Sequence, residues 1–187
     1  MKKVLLSILF LATVLSLSHL AAAQAGSNSL NDQLMEAAKT GDTVTVRQLL
    51  DRGAKIDAKD FMGCTALIWA AGAGKIDTVR LLLEKGANIE AKDHDGWTAL
   101  FRAAGEGETE VVKLLLEKGA NIEARSILGK TALIHAAGKG ETEVVRLLLD
   151  KGANINAKDS DGNTALMDAE NMFNPETAKL LRAYGAH

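Results

Sequence analysis

The sequence predicts an all-α solenoid: stacked helix–turn–helix units with hairpin-like connecting loops, five repeats in all, the outer two polar and capping. Three observations predict it. Gly63, Gly96, Gly129 and Gly162 stand 33 residues apart, and so do the triplets Thr65-Ala66-Leu67, Thr98-Ala99-Leu100, Thr131-Ala132-Leu133 and Thr164-Ala165-Leu166. Gly86, Gly119 and Gly152 keep the same period, each followed by Ala-Asn-Ile. Between these marks the apolar residues recur at helical spacing. A self-similar period of this size means that each unit is too small to bury its apolar face alone and must stack on its neighbours.

The elements of one unit follow in order. Thr65, Thr98, Thr131 and Thr164 stand where a helix N-cap belongs, since a hydroxyl there accepts from free N–H groups of the first turn. In the first unit Asp32 holds that place. Gly41, Gly74, Gly107 and Gly140 end the first helix. The second helix carries Val79, Leu82 and Leu83, an i, i+3, i+4 stripe, repeated as Val46/Leu49/Leu50, Val112/Leu115/Leu116 and Val145/Leu148/Leu149. Gly53, Gly86, Gly119 and Gly152 then follow as C′ residues. The units run over about 28–59, 60–92, 93–125, 126–158 and 159–187.

The end units break the pattern as terminal repeats should, with polar outer faces. Gln48 replaces the leucine of Leu81, Leu114 and Leu147. Arg182 and Glu170 replace an in-phase leucine and alanine. Phe173 stands where a glycine is expected, and Asn174-Pro175 restarts a helix as N-cap and N1.

Gly-x-Thr-Ala-Leu, Ala-Ala, Gly, Val-x-x-Leu-Leu and Gly-Ala-Asn-Ile at this period resemble the ankyrin repeat, over about residues 28 to 187. The family usually has Thr-Pro-Leu-His where this chain has Thr-Ala-Leu-Ile or Thr-Ala-Leu-Phe. His135 lies one place beyond the family histidine and does not take its role. The resemblance implies that the hairpin tips and first helices line one concave surface, where ankyrin proteins commonly bind partners.

Residues 1–25 read as a separate segment. Lys2 and Lys3 form a positive start, Val4 to Leu17 an apolar stretch, and Ala21 to Ala25 offer small residues for cleavage after Ala23 or Ala25. This is the pattern of a bacterial secretory signal peptide, leaving a domain over 26–187 in the periplasm or outside the cell. The alternative, an uncleaved membrane anchor, is disfavoured because the apolar stretch is short for a full span. Without Lys2 and Lys3 the formal charge falls from −2 to −4. Neither value marks a nucleic-acid binder. Cys64 is the only cysteine, so packing rather than a disulfide must hold the domain together. Its expected role is that of a small, semi-buried side chain.

The motifs that would announce catalysis are missing. His94 and His135 lie in different units without a second ligand at metal spacing, and His187 is terminal. Gly72-Ala73-Gly74-Lys75 lacks the rest of a phosphate loop. Glu106, Glu108 and Glu110 fall at an exposed turn. The expectation is therefore a non-enzyme with neither cofactor nor metal.

Positions that vary from unit to unit are free for function. They are the two residues before the hairpin glycine, the one after it, and the one before Ala-Ala. Across the units they yield Phe61, Met62, Cys64 and Trp69; His94, Asp95, Trp97 and Arg102; Ile127, Leu128, Lys130 and His135; and Ser160, Asp161, Asn163 and Asp168. All but Cys64, Ser160 and Asn163 are taken as the candidate partner-binding set. Both tryptophans belong to it, and exposed clustered apolar residues usually mark an interface. The tryptophans could instead fill grooves between units. Arg102 and Asp168 could give polar specificity or pair with neighbours. The expected partner is another protein, an exported or periplasmic enzyme docked by an adaptor or inhibitor of the immunity type. The expected state is a monomer, with no nucleic acid and no membrane contact after signal cleavage. A scaffold stabilising a stress-defence enzyme and a secreted effector are the alternatives.

Overall fold

The chain is described here by a computed structural model that places residues 29–187. The signal segment read from the sequence lies outside the described residues. The described residues form ten helices and no strands. They pair as α1 (Leu30–Thr40) with α2 (Thr43–Asp51), α3 (Ala66–Gly72) with α4 (Ile76–Glu84), and α5 (Ala99–Gly105) with α6 (Thr109–Glu117). Then come α7 (Ala132–Lys139) with α8 (Thr142–Asp150), and α9 (Ala165–Asn171) with α10 (Pro175–Ala183). First helices pack on first helices and second helices on second helices, so the five pairs stack in chain order. No helix among the described residues is long and apolar enough to cross a membrane.

The threonines cap as the sequence predicts: each of Thr65, Thr98, Thr131 and Thr164 accepts from the N–H three residues on. The first unit differs. Ser29, not Asp32, is the N-cap of α1, and Asp32 sits at N3 and accepts the Ser29 N–H in return, a capping box. The second-helix stripe is wider than the sequence suggested. Leu81 and Leu114 are buried beside Val79/Leu82 and Val112/Leu115, whereas Leu83 and Leu116 are only half-buried. Alanines at the first-helix contacts, such as Ala70, Ala71, Ala103 and Ala104, are buried and let those helices approach closely.

Two ladders of hydrogen bonds tie the units together. At the tips, backbone N–H groups of His94, Ile127 and Ser160 donate to the carbonyls of Met62, Asp95 and Leu128, each at 3.0 Å. At the other loops, the side chains of Asp57, Glu90 and Glu123 accept from the N–H of Asn88, Asn121 and Asn154. Lys59, Lys92 and Arg125 donate to the carbonyls of Lys92, Arg125 and Lys158.

Phe173 is the one non-glycine with positive φ among the described residues, at +57°, and it is 89 % exposed. The four preceding in-phase glycines explain why. A Cβ at Gly140 would lie 2.8 Å from Asn174 Oδ1, and one at Gly74 or Gly107 would strike the carboxylate of Glu108 or Glu141. A side chain at this turn occupies the seat of the following unit, so phenylalanine fits only where none stacks. Asn174 is the N-cap of α10 by position, but its side chain does not cap that helix. It reaches back to donate to the carbonyls of Ala137 and Gly138.

Candidate partner-binding face

Each tip loop is built on one side-chain acceptor, half-buried at Asp60 and buried at Asp93, Ser126 and Asp159. Asp60 Oδ1 accepts from the N–H groups of Met62 and Cys64, Asp93 Oδ1 from Asp95 and Trp97, and Asp159 Oδ1 from Asp161 and Asn163. In the fourth unit Ser126 Oγ takes the N–H of Lys130. These side chains replace backbone partners that a tight loop cannot supply, and they leave the second carboxylate oxygen free to orient a group from the first helix. Asp60 Oδ2 accepts the Trp69 indole N–H at 2.8 Å, and Asp93 Oδ2 accepts Arg102 at 3.3 Å. The 33-residue recurrence of Asp60, Asp93 and Asp159, broken at Ser126, was the sequence signal for this role.

The candidate residues separate into three groups on this base. Phe61, Ile127 and Leu128 stand out from the tips, 88 %, 67 % and 61 % exposed, with Met62 beside them. His94, Asp95 and Asp161 are also exposed. The tips thus alternate along the stack: apolar, polar, apolar, polar.

Trp69, Trp97, Arg102, Lys130 and His135 are half-buried and linked to neighbours. The Arg102 guanidinium carbon lies 4.3 Å from the centre of the Trp97 ring. Trp97 lies 5.2 Å from His135, whose ring stacks on Phe101 at 4.5 Å. Phe101, buried at the position that Ile68 and Ile134 hold in the neighbouring units, organises this cluster, although the variable positions did not include it. A Cβ at Gly105 would strike the His135 ring, so this close approach needs glycine. Burial first, then the positive charges of Lys139, Lys130 and Arg102, lowers the His135 pKa to about 4. The ring is therefore neutral at pH 7.

Asp168 is the clearest departure from a free surface position. It is buried and bonded to Lys130, which also lies 3.9 Å from Asp159. Lys130 thus joins two carboxylates, and burial of Asp168 is tolerated because the charge is paired. Cys64, read as semi-buried, is fully buried. Its thiol faces Asp93 Oδ2 at 3.8 Å, and burial, with the charges of Asp60 and Asp93, pushes its pKa up to about 11. A thiol so held does not form the reactive thiolate. The first unit, from which no candidate was drawn, also contributes: Met35, Glu36 and Lys39 line a groove with Phe61 and Trp69.

The family model described as ankyrin repeats (3 copies) matches residues 34–126 and 123–187. No curated protein matches the sequence.

Proposed function

We propose that this chain, which belongs to the ankyrin-repeat family, acts as an exported docking protein that holds a partner enzyme on the face formed by its tips and first helices. Ankyrin repeats are protein-interaction modules, so a protein partner is the general function. The observation that carries the specific reading is the exposure of Phe61, Ile127 and Leu128 on hydrogen-bonded loops that do not need apolar groups there. Exposed apolar anchors on a rigid base lose little conformational entropy when they bind. Half-buried Trp69, Trp97 and Arg102 lie behind the tips as further contact surface of the type enriched in binding hot spots.

Lys2, Lys3 and the apolar stretch after them support export, and the partner is read as a protein of the periplasm or of the space outside the cell. A pre-organised surface suits occlusion of an active site, so the reading is an adaptor or inhibitor of the immunity type, acting as a monomer and without catalysis of its own. Its test is capture from periplasmic extract with tagged protein, beside the variant Phe61→Ser/Ile127→Ser/Leu128→Ser. These side chains are exposed, so the variant should fold as the parent does. One dominant partner should be retained by the parent and bound at least about 2 kcal/mol more weakly by the variant. Equal retention by both would remove the tips from the interface.

A further inference from the structure

We infer that the groove between the first and second units seats an arginine side chain of the docked partner; the inference rests on the docking reading above. The groove has a volume of ≈ 410 Å³. Met35, Phe61 and Trp69 supply its apolar and aromatic walls, and Asp32, Glu36, Asp60 and Lys39 its charges, three carboxylates against one ammonium.

The four charges are not equivalent. Asp60 is committed to the Met62 and Cys64 N–H groups and to the Trp69 indole. Asp32 accepts the backbone N–H and hydroxyl of Ser29. The Lys39 ammonium lies 5.0 Å from the centre of the Trp69 ring. Glu36 is exposed and enters no ion pair among the described residues. One unpaired carboxylate therefore stands beside an exposed phenylalanine, in a groove with a net negative lining.

Covering this groove with an apolar side chain would strand the Glu36 charge away from water, which is costly. An acidic side chain would be repelled. A cation satisfies Glu36, and a guanidinium does so while lying flat against an aromatic ring, because it is planar and weakly hydrated. A compact ammonium gains less from such a wall.

The other end of the face differs. In the groove lined by Lys130, His135, Lys139, Asp168 and Met172, Lys130 is already paired with Asp168 and Asp159, and Lys139 enters no ion pair among the described residues. An unpaired carboxylate at the first unit and an unpaired ammonium at this end favour docking with the partner's arginine toward the first unit.

The Trp69 indole N–H, hydrogen-bonded to Asp60, gives a local reporter for nuclear magnetic resonance. Isotope-labelled protein is titrated with acetyl-Leu-Arg-Leu-amide and, separately, with acetyl-Leu-Gln-Leu-amide. The arginine peptide should shift the Trp69 resonance saturably and leave that of Trp97 in place. The glutamine peptide should bind at least about fivefold more weakly, as should the arginine peptide on Glu36→Gln or Phe61→Ala. An unmoved Trp69 resonance, equal response to the two peptides, or unchanged binding by Glu36→Gln would overturn the assignment. If Trp69 is unmoved while a captured partner is still lost on substituting Ile127 and Leu128, docking stands and the arginine seat falls. If Trp69 responds as expected but no partner is captured, the seat stands and the docking reading falls.

Discussion

Gly96 and Gly119 have similar backbones, with φ of +76° and +88°, yet they sit in different surroundings. A Cβ at Gly96 would lie 2.9 Å from the backbone nitrogen of Ile127 in the next tip. A Cβ at Gly119 would meet nothing within 4 Å. The tips are nested backbone against backbone, whereas the loops after the second helices are open and are bridged by side chains such as Glu90 and Lys92. At the open loops the side chains are used to tie units together and must repeat. At the nested tips the backbone does the tying, so the side chains beyond it can vary. That is why Phe61, Ile127 and Leu128 occupy tips.

The sharpest way to break this comparison is to add the same methyl group at both places. Gly96→Ala carries the left-handed backbone penalty and a backbone clash, and should lower stability by about 3 kcal/mol. Gly119→Ala carries the backbone penalty alone, about 1 kcal/mol. Denaturant unfolding of the two variants measures the difference, and equal losses would mean that the tips are not nested.

The aromatic cluster behind the tips gives a pH test of intermediate size. The folded-state pKa of His135 is lowered from 6.5 to about 4, so the unfolded chain takes up a proton first as pH falls. Stability is then complete above pH 6.5, declines through the interval, and levels off below about pH 4. His135 should account for a loss on the order of 2 kcal/mol across that window. His135→Gln should flatten this part of the stability profile relative to the parent, and an unchanged slope would place the proton uptake elsewhere.

Phe173 offers the smallest effect and one of opposite sign. It holds a left-handed backbone that the earlier units assign to glycine, while its side chain is exposed. Phe173→Gly should relieve that strain and raise stability by about 1 kcal/mol, less any contact Phe173 makes with the end unit. A thermal midpoint lower than the parent's would show that its contacts outweigh the strain.

Much of the scaffold was legible from spacing because each unit touches only its neighbours, so one set of rules recurs down the chain. The caps at Thr65, Thr98, Thr131 and Thr164 are cases in point. The first cap was misplaced onto Asp32 because the terminal unit departs from the repeat, and phase alone could not distinguish an N-cap from the N3 partner of Ser29. The exposed tips were legible for a related reason: apolar residues at positions that hold polar ones in other units have no scaffold task. The loop acceptors Asp60, Asp93 and Asp159 were passed over because residues in phase were read as scaffold alone.

By itself, the sequence determined the repeat, the helix pairing within it and the positions at liberty to vary, because periodic apolar burial and glycine turns are local requirements. Only the tertiary structure decided what those varied side chains do. Arg102 lies over Trp97 and bonds Asp93, Lys130 joins Asp159 to Asp168, and His135 lies against Phe101. Several of these partners are about one repeat apart in the chain and become neighbours only when the units stack. Whether a polar or aromatic side chain at such a position faces solvent or its neighbour depends on the space the adjoining unit leaves, as Gly105 leaves for His135.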